Sequence, residues 1–142
     1  MNNLQPRCTI LGLGVNDLDK ATDFYQNIFG WQLTDDSNDN IKFFKLNGQL
    51  LSLYPREKLA EDAKVSAIGS GFKGFTMAYN TFSKEEVDNI FEMLKSKKVK
   101  IVKEPEEVFW GGYSGYIADP DDNLWEIAYN PFMKLSEIGE VL

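Results

Sequence analysis

The strongest constraint on this chain is a pattern of strand, helix and three strands that occurs twice. Residues Thr9 to Val15 are apolar with two glycines and predict a strand. Asn16 and Asp17 turn the chain, and Asp17 is a good N-cap. Ala21, Phe24, Tyr25 and Ile28 then follow at the i, i+3, i+4, i+7 spacing of a helix over Leu18 to Phe29. Gly30 stands where a helix C-terminus wants a residue free of the left-handed penalty. Sixty-six residues further on, Val87, Ile90, Phe91 and Leu94 repeat the stripe, and Leu33 falls on Val99. Ser83 and Glu86 form a capping box for that second helix. A constant offset, with elements in the same order on both sides, indicates an internal duplication.

The strands fill in each half. Trp31–Leu33, a polar stretch from Asp35 to Asn40, and Ile41–Leu46 lead to Asn47-Gly48, a strong hairpin signal, and on to Gln49–Tyr54. Pro55 ends the run. Arg56 to Ala63 is polar and reads as a short helix or a loop, and Gly69, Ser70 and Gly71 make a joint. In the second half Phe75–Tyr79 and Val99–Val102 read as strands, followed by a loop through Pro105. Tyr113–Ala118, a turn at Asp119 to Asn123, and Leu124–Tyr129 complete it. Phe132, Leu135, Ile138 and Val141 in the tail are spaced for a short docked helix. The expected fold is α+β: two tandem βαβββ modules, about 8–55 and 73–131, with a tail at 132–142, in one domain of 142 residues.

Composition narrows the function. The formal charge of -7 disfavours a phosphate backbone as partner. The densest basic group, Lys95, Lys97, Lys98 and Lys100, falls at a helix C-terminus, where cations are favourable. Cys8 is the one cysteine, so no intrachain disulfide forms, which suits a reducing cytoplasm. The N-terminal run is polar, and no apolar stretch approaches the ~20 residues of a bilayer span. A cytoplasmic location without membrane association is expected. The chain has no histidine. That removes Ser-His-Asp and Cys-His catalysis, imidazole bases and every His-bearing metal site.

Two stretches resemble the vicinal-oxygen-chelate superfamily, the glyoxalase and bleomycin-resistance proteins. Leu13 to Tyr25, continuing to Phe29-Gly30-Trp31, resembles the family's opening strand and helix with its Val-x-Asp-Leu turn. Gly111 to Asp121, ending in Leu124-Trp125-Glu126-Ile127, resembles the closing hairpin, Asp-Pro-Asp-Gly followed by an aromatic and a Glu. The resemblance implies a mixed β-sheet curled into a cup with helices outside, and a homodimer. In metal-dependent members four strands supply four ligands, usually two His and two Glu. Carried over, these fall at about Ile10, at Leu51 (or Leu53), at Phe75 and at Glu126. Glu126 alone matches. One carboxylate among apolar positions does not hold a divalent ion against water, so no metal or other cofactor is expected. The resemblance therefore implies a small-molecule-binding protein, sequestering or enzymatic. The rival readings are a metal-dependent lyase of the lactoylglutathione lyase type and a non-catalytic structural or regulatory dimer module.

Individual residues carry paired readings. Glu126, between Trp125 and Ile127, points to the opposite face from both. There it accepts a ligand's donor or acts as a base; alternatively it is simply paired with a tyrosine or an arginine. Trp110, Tyr113 and Tyr116, in the stretch from Phe109 to Tyr116, offer a ligand wall or else plug core or interface. Arg7 and Arg56, the only arginines, are anion clamps or surface groups. Gly12 and Gly14 lack the third glycine of a dinucleotide site and suit close backbone approach. Asp119, Asp121 and Asp122 suit a turn better than a calcium loop.

Overall fold

The computed structural model describes residues 3–142; Met1 and Asn2, the start of the polar N-terminal run, lie outside them. The chain divides into two compact units, Met1–Ile68 and Gly69–Leu142, and the boundary falls at the Gly-Ser-Gly joint.

The first unit holds β1 (Ile10–Val15), α1 (Leu18–Asp23), β2 (Lys42–Leu46), β3 (Gln49–Pro55) and α2 (Arg56–Ala63). Asp17 caps α1 by accepting from Lys20 N–H at 3.0 Å. The expected helix continues to Ile28, but its last turn, Phe24–Ile28, widens to π geometry, with Phe29 N–H donating to Phe24 O at 3.1 Å. Four aromatics crowd this end. Tyr25 stacks on Trp31 with centroids 5.8 Å apart, and Phe29 lies 4.9 Å from Phe24 and 5.3 Å from Tyr25. Gly30, at φ +78°, closes the helix and lets Trp31 N–H reach Tyr25 O at 3.0 Å.

The first sheet has the order β1-β3-β2, with β1 parallel and β2 antiparallel to β3. The strand expected at Trp31–Leu33 is a single bridge, Leu33 to Phe44. The Ser37 hydroxyl ends it, accepting from Phe43 N–H at 2.9 Å and drawing the polar stretch into a loop. Arg56–Ala63 is a helix, and it crosses β1 at Gly14. A Cβ there would lie 3.1 Å from the Cα of Arg56, so the glycine serves close approach.

The second unit repeats the plan with β4 (Met77–Asn80), α3 (Lys84–Ser96), β5 (Lys100–Glu107), β6 (Tyr113–Ala118) and β7 (Leu124–Tyr129). Its order, β4-β7-β6-β5, matches the first sheet when the Leu33 bridge takes the place of β5. Ser83 Oγ accepts from Glu86 N–H at 3.1 Å, as the capping box requires. Lys95 stands in the last turn of α3, with Lys97 as its C-cap. Two expectations change. β5 continues through Pro105, which an edge strand tolerates because one side of its ladder is unpaired. The tail is not a helix: Leu135 bridges Val141, Gly139 turns at φ +85°, and the Ser136 hydroxyl accepts from Glu140 N–H at 3.0 Å. Local hydroxyl and glycine turn chemistry overrides the apolar spacing. Phe132, Ile138 and Val141 stay exposed.

Each sheet is covered by its helix on one face. In the first unit Leu13, Val15, Phe44, Leu51 and Leu53 are buried with Ala21, Phe24 and Tyr25. In the second, Met77, Ile117, Trp125 and Ile127 are buried with Val87, Phe91 and Leu94. Both sheets are open and mixed, and the fold is α+β. Among the described residues no helix is long and apolar enough to cross a membrane.

Candidate functional site

Strand alternation gives the second sheet a face that α3 does not cover. Trp125 and Ile127 take the helix side, so Leu124 and Glu126 take the other. Pairing places Tyr116 directly opposite Glu126, Lys103 opposite Tyr116, and Ala78 on the far side of Glu126. The result is a cross-strand row, Lys103–Tyr116–Glu126–Ala78. Register shifts on both sides of Lys103 mark the irregularity in β5 that brings it into the row.

The row is electrostatically coupled. Burial, then the neighbouring Glu126 carboxylate, pushes the Tyr116 phenol above its ordinary value. Lys103 is pushed up chiefly by its hydrogen bond to Glu106, at 2.9 Å, with smaller contributions from Tyr116 and Glu126. Glu126 thus faces a tyrosine across the ladder. A carboxylate accepts through several lone-pair sites, so Glu126 has capacity for a ligand's donor.

A cleft of about 480 Å³ opens beside the row, lined by Phe72, Phe75, Lys100, Val102, Ala118 and Leu124 among others. Ala118 and Leu124 stand two residues from Tyr116 and Glu126 along their strands, so all four side chains share a face.

The structure separates the other sequence candidates. Tyr113, three residues before Tyr116 on β6, takes the opposite face, where its hydroxyl donates to Asp88 on α3 at 2.6 Å. That bond first, then burial and neighbouring carboxylates, pushes its pKa up to about 12. Trp110 sits on a tight turn closed by Val108 N–H to Gly112 O at 2.9 Å, and its half-exposed ring covers Gly112. Phe75 lines the cleft. Ile10 is half-exposed on the open face of the first sheet, whereas Leu51 is wholly buried on the helix side.

The ladders also sharpen the ligand positions. Gly12 and Ala78 each stand five residues before their helix's N-cap, and they pair with Ser52 and Glu126 respectively. Ser52, not Leu51 or Leu53, is thus the internal counterpart of Glu126. By the same count Thr76 corresponds to Ile10. A set of Ile10, Ser52, Thr76 and Glu126 supplies one carboxylate and two hydroxyls, which does not fit a divalent metal. Among the described residues no three His, Cys, Asp or Glu side chains are grouped to hold one.

The remaining polar candidates are structural. Arg56 Nε donates to Ala67 O at 2.9 Å and fastens the chain after α2. Asp119, buried, accepts from Asp121 N–H at 2.9 Å and Asn123 N–H at 2.8 Å, closing the β6–β7 turn. Sequence reasoning missed Lys103, Phe72, Ala118 and Leu124. Alternation outward from Glu126 would have found Leu124; the other three depend on pairing and on a loop.

Comparison with known proteins agrees with this architecture. The sequence profile of the glyoxalase/bleomycin resistance protein/dioxygenase superfamily matches residues 7–127. The chain is 29% identical over 113 residues to metallothiol transferase FosB of Lysinibacillus sphaericus (strain C3-41), covering 79% of this chain and 74% of that one. Its fold is similar to that of a glyoxalase-related enzyme from Fulvimarina pelagi, at TM-score 0.87 and 30% identity over 97% of this chain and 98% of the other. It is also similar to the genomically encoded fosfomycin resistance protein FosX of Listeria monocytogenes, at TM-score 0.69 and 27% identity over 92% and 97%. The profile match covers most of the chain and includes all four residues of the row, so the chain belongs to the glyoxalase/bleomycin resistance protein/dioxygenase superfamily.

Proposed function

We propose that this protein binds a small organic molecule on the open face of its second sheet, with Glu126 as the polar anchor and without a bound divalent metal. The observation that carries the reading is the cleft beside the Tyr116–Glu126 pair: an apolar surface next to a few convergent polar groups is the usual make-up of a ligand site. Tyr116 stands across the ladder from the carboxylate, and Lys103 holds positive charge at the end of the row. Glu126 accepts a donor from the ligand or takes a proton from it, so the site serves sequestration or proton-transfer chemistry alike. Phe75 belongs to this binding reading. Tyr113 and Trp110 support it from outside the cleft, by bracing β6 on α3 and by shaping the loop before β6.

The same reading takes the chain as one domain, a homodimer, and a cytoplasmic protein. Exposed Phe132, Ile138 and Val141 supply apolar surface for self-association, and Cys8 is a free thiol. Light scattering on the purified protein checks the dimer.

A thermal-shift screen of small-molecule fragments tests the main claim. Fragments that stabilise the wild type should lose their effect on Glu126→Gln. Fragments that stabilise both proteins equally would remove the carboxylate from the site. Robust nickel- or zinc-dependent turnover of a methylglyoxal–glutathione adduct would favour a lactoylglutathione lyase-type enzyme instead.

A further inference from the structure

The cleft carries a charge opposite in sign to that of the chain. Lys73 and Lys100 line it against a single carboxylate, Asp122, so its wall is net positive in a protein of formal charge -7. Lys73 is set in place by neutral groups. Its Nζ donates to Asp121 O at 2.8 Å and to Asn123 Oδ1 at 2.9 Å, on the β6–β7 turn. Asn123 is buried, and its Nδ2 donates to Asp119 at 2.9 Å, which leaves its oxygen for the lysine. Neither acceptor is charged, and among the described residues Lys73 forms no ion pair. An ammonium has three donors, and these two bonds leave one N–H and the whole charge for a ligand.

The carboxylates of the turn do not take up that charge. Asp119 accepts from Asp121 N–H, Asn123 N–H and Asn123 Nδ2, and neither it nor Asp121 lines the cleft. Asp122 pairs with Lys100 at 3.1 Å, but both side chains are mostly exposed, and such a pair holds weakly against a competing anion. Beside the cations the wall is apolar. Phe72, Phe75 and Val102 are exposed side chains that meet at this cleft, joined by Leu124 from the open face. Exposed apolar side chains gathered round a cavity of about 480 Å³ mark a ligand surface. An ammonium at its edge suits a ligand that is part apolar and part anionic, since a charge-assisted hydrogen bond strengthens where water is partly excluded.

We propose that this cleft is a site for a small organic carboxylate with an apolar body, its anionic group on the remaining N–H of Lys73 and its body against Phe72, Phe75 and Leu124. The proposal rests on the open face being a ligand surface and needs nothing from Glu126. That carboxylate stands two residues beyond Leu124 on β7, about 7 Å further along the sheet. Its charge keeps the anionic end of the ligand at the lysines. A neutral or cationic molecule of the same shape forgoes the ion pair.

Three probes of one shape isolate the charge: 2-naphthoate (an anion), 2-naphthamide (neutral) and 2-naphthylmethylammonium (a cation). Acetate supplies the anion without the body. Titration calorimetry on the full chain should show saturable binding of naphthoate, about ten-fold tighter than naphthamide or more, and weakening as salt is added. The ammonium probe and acetate should both bind more weakly than naphthoate. Lys73→Met should bring naphthoate down to the level of naphthamide and leave naphthamide itself unchanged, whereas Lys73→Arg should keep the preference. The absence of saturable naphthoate binding, or equal binding of naphthoate and naphthamide to the wild type, overturns the proposal. So does a Lys73→Met variant that weakens both probes alike, because Lys73 would then only brace the turn. If the preference fails while other fragments still bind in a Glu126-dependent way, the broader reading stands; if nothing binds to the open face, both fall.

Discussion

Gly115 sits on the helix side of β6, under Phe91, where the irregular edge strand passes close by. A Cβ at this position would lie 2.6 Å from the carbonyl oxygen of Lys103, 2.6 Å from Phe91 Cζ and 2.8 Å from Pro105 N. Two of the three obstacles are backbone atoms of β5, and Phe91 is only 2% exposed, so none can swing aside. Overpacking a tight core by one methyl costs about 1–3 kcal/mol. Fixed backbone on two sides puts Gly115→Ala near the top of that range, about 3 kcal/mol. For a chain of 142 residues that is a fall in melting temperature of roughly 6–12 °C. Gly112→Ala is the control: the atoms nearest the added methyl are all in the ring of Trp110, which is 46% exposed and not walled in by backbone, so the cost should stay under about 1 kcal/mol. Calorimetry on both variants gives the comparison. Because β5 must shift to admit the methyl, the Lys103 and Tyr116 resonances should move in Gly115→Ala and not in Gly112→Ala. Equal melting temperatures for the two variants would refute the packing argument and, with it, the account of how Lys103 reaches the row.

Leu51→Ala should cost about 2–5 kcal/mol, because the side chain is wholly buried, whereas Ser52→Ala should cost far less; urea unfolding decides between them. Glu126→Gln should lower the Tyr116 pKa without returning it fully to its ordinary value, since burial, the larger cause, remains; an NMR titration of the tyrosines reads this. Tyr113 has a folded-state pKa raised to about 12, so its small contribution to stability is complete below about pH 10 and is lost as pH rises toward 12. In Tyr113→Phe that part of the alkaline decline in melting temperature should disappear.

The duplication was legible because it is written in side-chain type. The helical stripes, the caps at Asp17 and Ser83, and Gly30 act within one turn of chain, and local sequence determines them. The strands β6 and β7 match their expected limits because apolar residues run between clear turns. Where the sequence misled, a long-range or competing local term was decisive. Pro105 looked like a loop until β5 was seen to be an edge. The tail's apolar spacing lost to turn-forming Ser136 and Gly139. The site was only half legible. Glu126 and Tyr116 could be named, and alternation gave the face of Glu126, but that they oppose one another is a fact of register. Register likewise moved the counterpart of Glu126 from Leu51 to Ser52. Tyr113 was grouped with Tyr116 by proximity in sequence, yet an odd spacing on a strand sends the two to opposite faces.

The central claim, metal-independent binding on the open face at Glu126, is tested most directly by amide chemical-shift mapping of a bound fragment, first with EDTA and then with added zinc. The account predicts the same perturbed set in both conditions, centred on Tyr116, Ala118, Leu124 and Glu126. Perturbations that arise only with zinc, or that fall elsewhere on the chain, would contradict it.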